Sequence, residues 1–166
     1  MLSIRLRVDG DLDGLERIAA RVRAADDYPT YLPAADYRRF LTRPAALQAW
    51  VSEWDGSPCG HVALNPATSP AVMEVLRGAG LVGEIGVIAR LLVDPDVRRR
   101  GVARALLRAA RAEATAQRRI PVLDVVDSHH AAIALYRSEG WNELGRASIS
   151  LPDGRELREL VFAAEQ

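Results

Sequence analysis

The chain has no lysine; all 22 of its basic residues are arginine. It has one cysteine, Cys59, so no internal disulfide can form, and a lone thiol suits a reducing compartment. Aromatic residues make up only 5%, which leaves few of the stacking platforms on which single-stranded nucleic acid is bound. The 22 basic and 22 acidic residues cancel, so global charge supplies no attraction to nucleic acid or to an anionic membrane. No apolar run approaches the 18 residues of a membrane span. At the N-terminus Ile4, Leu6 and Val8 alternate with Ser3, Arg5 and Arg7; that is a strand pattern, not a signal peptide. These absences predict a cytoplasmic protein that binds neither nucleic acid nor membrane.

What is present is the length and patterning of one α/β domain, residues 1–166. Such a chain buries roughly 70% of its unfolded surface and needs no staples. Strand pattern covers residues 3–8. Leu12, Leu15, Ile18, Ala19 and Val22 then form an apolar stripe of helical period. The stretch Asp26-Asp27-Tyr28-Pro29-Thr30-Tyr31-Leu32-Pro33 breaks that period and reads as a shaped loop, with a short helix over 34–41. A hairpin is predicted from 47–54 and 60–64 around Asp55-Gly56-Ser57-Pro58. A short helix is expected over 69–77, opened by Pro70 and closed by Gly78. A long apolar strand follows over 83–93. Then come a helix over 101–117, a strand over 121–126, a helix over 129–139, and two strands over 141–150 and 156–163. In sheets of this kind ligands favour the carboxyl ends of strands. Two strand-to-helix junctions qualify, 93–102 and 126–131.

The first junction reads Leu91-Leu92-Val93-Asp94-Pro95-Asp96-Val97-Arg98-Arg99-Arg100-Gly101-Val102-Ala103. A strand delivers a turn, then arginines, then a glycine that opens a helix. Helix N-termini present unpaired N–H groups and the positive end of a dipole, and they bind phosphate. Gly101 lets the backbone approach a phosphate closely, and Arg98 offers a charge-assisted contact. The second junction reads Leu123-Asp124-Val125-Val126-Asp127-Ser128-His129-His130-Ala131-Ala132-Ile133-Ala134-Leu135-Tyr136, and after Ser138 and Glu139 come Gly140 and Trp141.

The spacing Arg98-x-x-Gly101-x-Ala103 resembles the pyrophosphate-cradling motif of the GCN5-related N-acetyltransferase superfamily. Ala132, Leu135, Tyr136, Gly140 and Trp141 fall in register with that superfamily's second motif. The resemblance implies an α/β fold with a mixed, mostly antiparallel sheet, splayed central parallel strands and flanking helices. It implies acetyl-CoA as co-substrate, no metal, and transfer of an acetyl group to a primary amine by direct attack. It places the acyl-pantetheine arm beside the strand ending at Val93, where backbone groups of Leu91, Leu92 and Val93 pair with it. The cradle implied is Arg98, Arg99, Arg100, Gly101, Val102 and Ala103, with Arg104 reaching a phosphate. His129 stands where the superfamily often has asparagine and is taken as a contact to the arm. Tyr136 is the implied general acid: a phenol, with pKa ~10, stays protonated at neutral pH and can serve a thiolate whose thiol has pKa ~8.5.

The loop Asp26 to Pro33 aligns with the segment that walls the acceptor site in the superfamily, so the resemblance implies Tyr28 and Tyr31 as an aromatic wall, with Asp26 or Asp27 to attract a cationic amine. Small-molecule and peptide amines are both open as acceptors, and a homodimer is compatible with the reading. No residue stands out as general base: the superfamily's frequent acidic position falls near Val87, and Glu84 lies three residues away. His61 and Asp124 read as structural, Cys59 as an inert thiol at a strand edge. A non-catalytic acyl-CoA sensor is the alternative function.

Overall fold

The computed structural model describes residues 1–30, 32 and 36–165. Its elements run β1 (Leu2–Leu6), α1 (Leu12–Asp26), α2 (Tyr37–Leu41), β2 (Gln48–Trp54), β3 (Ser57–Asn65), α3 (Pro70–Gly78), β4 (Ile85–Val93), α4 (Val102–Ala116), β5 (Ile120–Val126), α5 (His130–Ser138), β6 (Trp141–Ser150) and β7 (Glu156–Ala164). The strands form one seven-stranded sheet in the order β1-β2-β3-β4-β5-β7-β6. The β1–β2, β2–β3, β5–β7 and β6–β7 pairs are antiparallel, while β4 and β5 are parallel. No described helix is long and apolar enough to cross a membrane.

The chain groups into two compact units: residues Met1–Asn65 with Ile88–Ala112, and Pro66–Val87 with Glu113–Gln166. In the first, the stripe on α1 packs as its period predicts. Leu12, Leu15, Ile18, Ala19 and Val22 cluster with Phe40, Leu41, Val51 and Leu92. Full burial of each large aliphatic side chain contributes about 1.5–3 kcal/mol. The β2–β3 hairpin turns at Asp55 and Gly56, whose φ values of 49° and 82° are both positive. That is the two-residue turn Asp-Gly favours, because its twist matches the strands. Near the hairpin a bulge sets Ser52 opposite Gly60 and Glu53 opposite Pro58, with Cys59 between. A Cβ on Gly60 would lie 2.6 Å from Ser52 Oγ and 2.7 Å from the Leu92 carbonyl oxygen. The backbone of β4 can therefore approach only because position 60 has no side chain. Cys59 is not at a strand edge as expected: β3 is flanked by β2 and β4, and the thiol is buried, 3.3 Å from Ser52 Oγ. Burial raises its pKa and keeps it an unreactive thiol.

In the second unit Ser69 caps α3, its hydroxyl accepting from Val72 N–H at 3.3 Å, with Pro70 in the first turn. Val72 and Leu76 of that helix pack on Val87, Val122, Ala147, Val161 and Ala163. The parallel register sets Ile85, Gly86 and Val87 against Ile120, Pro121 and Val122.

Candidate active site

The junction after β4 is braced from several sides within the first unit. Leu92 is fully buried, with Leu91 and Val93 half-buried beside it. Asp94 N–H donates to the Cys59 carbonyl at 2.8 Å. The Asp94 carboxylate accepts from Asp96 N–H at 3.0 Å. Arg21 reaches from α1 to Asp94 at 3.0 Å and to Asp96 at 2.6 Å. The three arginines that follow have three different settings. Arg98 forms a two-pronged ion pair with Asp26, at 3.1 and 2.5 Å. Arg99 holds a left-handed φ of 63°. Arg100 lies over the Trp54 ring, 4.9 Å from its centroid.

Gly101 has φ of 80°, and a Cβ built there would meet nothing within 4 Å. It is thus required for its conformation, and the space above it is open. Left-handed residues alternating with right-handed ones turn successive N–H groups to one side, an arrangement that binds anions. The first intrahelical bond of α4 runs from Ala105 N–H to the Gly101 carbonyl at 3.0 Å. The N–H groups before it have no acceptor in the helix. Val102 is buried and anchors this turn, Ala103 is half-buried, and Arg104 is exposed. The conformation, the open space and the bare helix start fit a pyrophosphate.

Tyr28 is half-buried and meets Phe40 edge-on, with ring centroids 6.0 Å apart. It packs on the first unit's core. Tyr31 lies outside the described residues. Asp26, a candidate for holding a cationic amine, is engaged with Arg98.

In the second unit His129 precedes α5 as its N-cap residue, without a side-chain capping bond. Tyr136 sits in that helix's last turn, 7% exposed. Its ring centroid is 6.0 Å from Phe162 and 6.4 Å from Trp141. Burial, and then the charge of Asp124, push the phenol up from its ordinary range, so it holds its proton firmly. A thiolate leaving in similarly dry surroundings has its proton affinity raised for the same reason.

Neither position considered near β4 supplies a base. Val87 is core, and Glu84 lies before the strand, exposed and paired with Arg119 at 3.0 Å. The buried acid is one that the sequence reading missed. Glu159 on β7 is 7% exposed and hydrogen-bonded to Asp124 on β5. Burial first, then the Asp124 charge and that bond, push its carboxyl up to about 8. The one sequence signal is an acid inside the apolar run Leu157 to Ala164, at a position whose alternation points inward.

The mixed sheet with one parallel pair and flanking helices is an α/β fold. A sequence model of the acetyltransferase (GNAT) family matches residues 16–141, and the chain belongs to that family. No curated protein matches its sequence. Among solved structures it resembles the ribosomal-protein-S18-alanine N-acetyltransferase from Escherichia coli, with 23% identity, 99% of this chain and 93% of that one covered, and a TM-score of 0.70. The ribosomal-protein-alanine N-acetyltransferase from Brucella melitensis gives 20% identity, 99% coverage of both chains and a TM-score of 0.73. Arabidopsis thaliana NAA60 in complex with acetyl-CoA gives 18% identity, 98% and 97% coverage and a TM-score of 0.73.

Proposed function

We propose that the chain transfers an acetyl group from acetyl-CoA to a primary amine by direct attack. One observation carries this reading: a left-handed Gly101, with open space where a side chain would be, heads α4 immediately after β4. Backbone N–H groups of Gly101, Val102 and Ala103 hold the pyrophosphate, while Arg99, Arg100 and Arg104 add positive potential. Arg98 contributes chiefly by fixing the turn through Asp26. Acetyl-CoA supplies the activated acyl group as a thioester. Backbone N–H donors within Leu91–Val93 stabilise negative charge on the acyl oxygen, the oxyanion-type effect. Tyr136 gives its proton to the departing sulfur, and His129 lines the arm. Tyr28 and Tyr31 belong to the acceptor side. Two of the structural neighbours are by name ribosomal-protein alanine N-acetyltransferases, so peptide α-amines head the list of acceptors.

The test is thiol release from acetyl-CoA across a panel of amines, with peptide α-amines first, alongside thermal stability with and without acetyl-CoA. A ligand at a hundredfold excess over its Kd adds about 2.7 kcal/mol of stability. Gly101→Asp puts a negative side chain in the cradle and should abolish that gain. A Gly101→Asp protein stabilised by acetyl-CoA as fully as wild type would overturn the placement. Absence of turnover with every amine would overturn the activity.

A further inference from the structure

Of the chain's three tryptophans, Trp50 and Trp141 are core, at 7% and 4% exposure. Trp54, the last residue of β2, is only half-buried. Its neighbours fix the face it occupies. A Cβ on Gly60 would lie 2.6 Å from Ser52 Oγ and 3.0 Å from Leu106 Cδ1 of α4, so Ser52 is on the α4 side of the sheet. Residues two apart along a strand share a face, which puts Trp54 on that side too. Glu53 between them turns the other way and pairs with Arg5 at 2.7 Å.

Arg100 meets Trp54 on that face, with its guanidinium carbon 4.9 Å from the ring centroid. Arg100 directly precedes Gly101, yet this contact draws its charge off the turn and onto β2. In the sheet β2 lies two strands from β4, about 9–10 Å across. The acids around the hairpin and the turn are engaged by other cations. Arg21 holds Asp94 and Asp96, Arg98 holds Asp26, Arg5 holds Glu53, and the Met1 amine holds Asp55. Among the described residues Arg100 makes no ion pair. A guanidinium ordered on an aromatic face, with its N–H fork unspent on any acid, is set to meet an anion from outside the chain.

We propose that Trp54 is a positioning residue for the co-substrate: it holds Arg100 where the guanidinium binds the ribose 3′-phosphate of CoA, and the chain thereby selects acetyl-CoA over its 3′-dephospho form. This rests on the acetyl-transfer reading above. In that reading the backbone N–H groups of Gly101, Val102 and Ala103 hold the pyrophosphate, which leaves the ribose phosphate of CoA to be met. That phosphate lies on the far side of the pyrophosphate from the thioester. It therefore needs a cation away from Leu91–Val93, and Arg100 supplies one, drawn from β4 across the hairpin. The fork of a guanidinium meets a phosphate through two parallel N–H···O bonds, while its flat face stays on the indole.

A hydrogen bond to a charged group shifts a binding constant by roughly tenfold to a hundredfold. Arg100 is exposed, and solvent screening there favours the lower figure. A cation–π contact at an exposed site is worth roughly two- to fivefold. The phosphate contact is thus the larger effect and the indole's share the smaller, as a positioning role requires.

The test is a ratio of two dissociation constants, 3′-dephospho-acetyl-CoA over acetyl-CoA, measured by calorimetry on the whole chain. In wild type the ratio should be about ten. In Arg100→Gln it should fall to about one, through loss of acetyl-CoA affinity alone. In Trp54→Leu it should fall roughly two- to fivefold, and Trp54→Phe, which keeps an aromatic face, should restore most of it. Affinity for the dephospho ligand should stay at the wild-type value in all three variants, which reports an intact turn. A wild-type ratio near one would overturn the proposal, and so would an unchanged ratio in Arg100→Gln or in Trp54→Leu. Should Trp54→Leu bind neither ligand, tryptophan emission decides. The Trp54 contribution, wild type less Trp54→Phe, should change with acetyl-CoA and not with the dephospho ligand, and equal changes would overturn the proposal. If wild type binds neither ligand, the acetyl-transfer reading fails and this inference with it; equal binding of both ligands sinks the Trp54 assignment alone.

Discussion

His61 in the first unit and Glu159 in the second are both buried on strands, at 0% and 7% exposure. The histidine's ring nitrogens are both engaged. Nδ1 lies 3.0 Å from the Arg90 carbonyl and so donates, leaving Nε2, 3.3 Å from Arg7 Nη1, to accept. That tautomer is neutral. Burial, with a contribution from the Arg7 charge, lowers its pKa to about 4. Glu159 has another carboxyl as its partner and leaves Oε2 unmet. A buried polar group with all its bonds made reports on the fold. A buried group with an unmet acceptor and a like-charged neighbour costs stability, and such costs concentrate where chemistry is done.

The largest effect that would sharpen this contrast is expected at Tyr136, in the same unit as Glu159. Tyr136→Phe keeps the ring against Phe162 and Trp141 and removes only the proton donor. A positioned general acid is worth about 10²–10⁴-fold in rate, so kcat should fall by about that much while acetyl-CoA binding persists. His61→Gln, which keeps a donor and an acceptor, should leave the kcat of the folded enzyme unchanged. Equal losses of kcat in the two variants would erase the distinction between the units.

A smaller effect is expected in acid, from His61. Its pKa is about 4 in the folded chain and ~6.5 when unfolded. Below pH 6.5 the unfolded chain binds the proton that the folded chain refuses. Stability is therefore complete above that pH and is lost as pH falls toward 4. The whole window is worth about 3 kcal/mol at 1.36 kcal/mol per unit. Urea unfolding at pH 7 and pH 5 should show the loss in wild type and a smaller one in His61→Gln. Equal losses would mean that other groups dominate the acid limb.

The sequence carried the architecture because apolar periodicity is local. The α1 stripe and the strands flanking α4 and α5 lie within a residue or two of their predicted places, while the second strand of the Asp55-Gly56 hairpin starts at Ser57, three residues before its predicted start. The glycine-headed turn before α4 was legible for the same reason, since a glycine after arginines at a helix start is a local pattern. The setting of Arg98 was not legible: its partner Asp26 is 72 residues away in sequence. Likewise nothing local links Asp124 with Glu159, because only the β5–β7 register makes them diagonal neighbours. Cys59 was misplaced because edge or centre is a property of strand order, which the spacing of residues does not encode.

The smallest effect is the alkaline counterpart to His61. Glu159 has its pKa raised to about 8 in the folded chain, against ~4.3 when unfolded. Here the folded chain is the one that keeps the proton. The contribution is fully present below pH 4.3 and is lost as pH rises through 8, the reverse of the histidine. Part of the raised affinity belongs to the pair jointly, since the Asp124 charge contributes to it, and the carboxyls are partly screened. The loss assignable to Glu159 is therefore about 1–2 kcal/mol. Glu159→Gln has nothing to titrate at that position, so its stability should fall less than wild type's between pH 6 and pH 9. Because glutamine needs no desolvation of a charge, the variant should be the more stable of the two at pH 9. Chemical denaturation at the two pH values measures both slopes. A wild-type slope no steeper than the variant's would mean that Glu159 is ionised throughout, and the contrast with His61 would then be one of position alone.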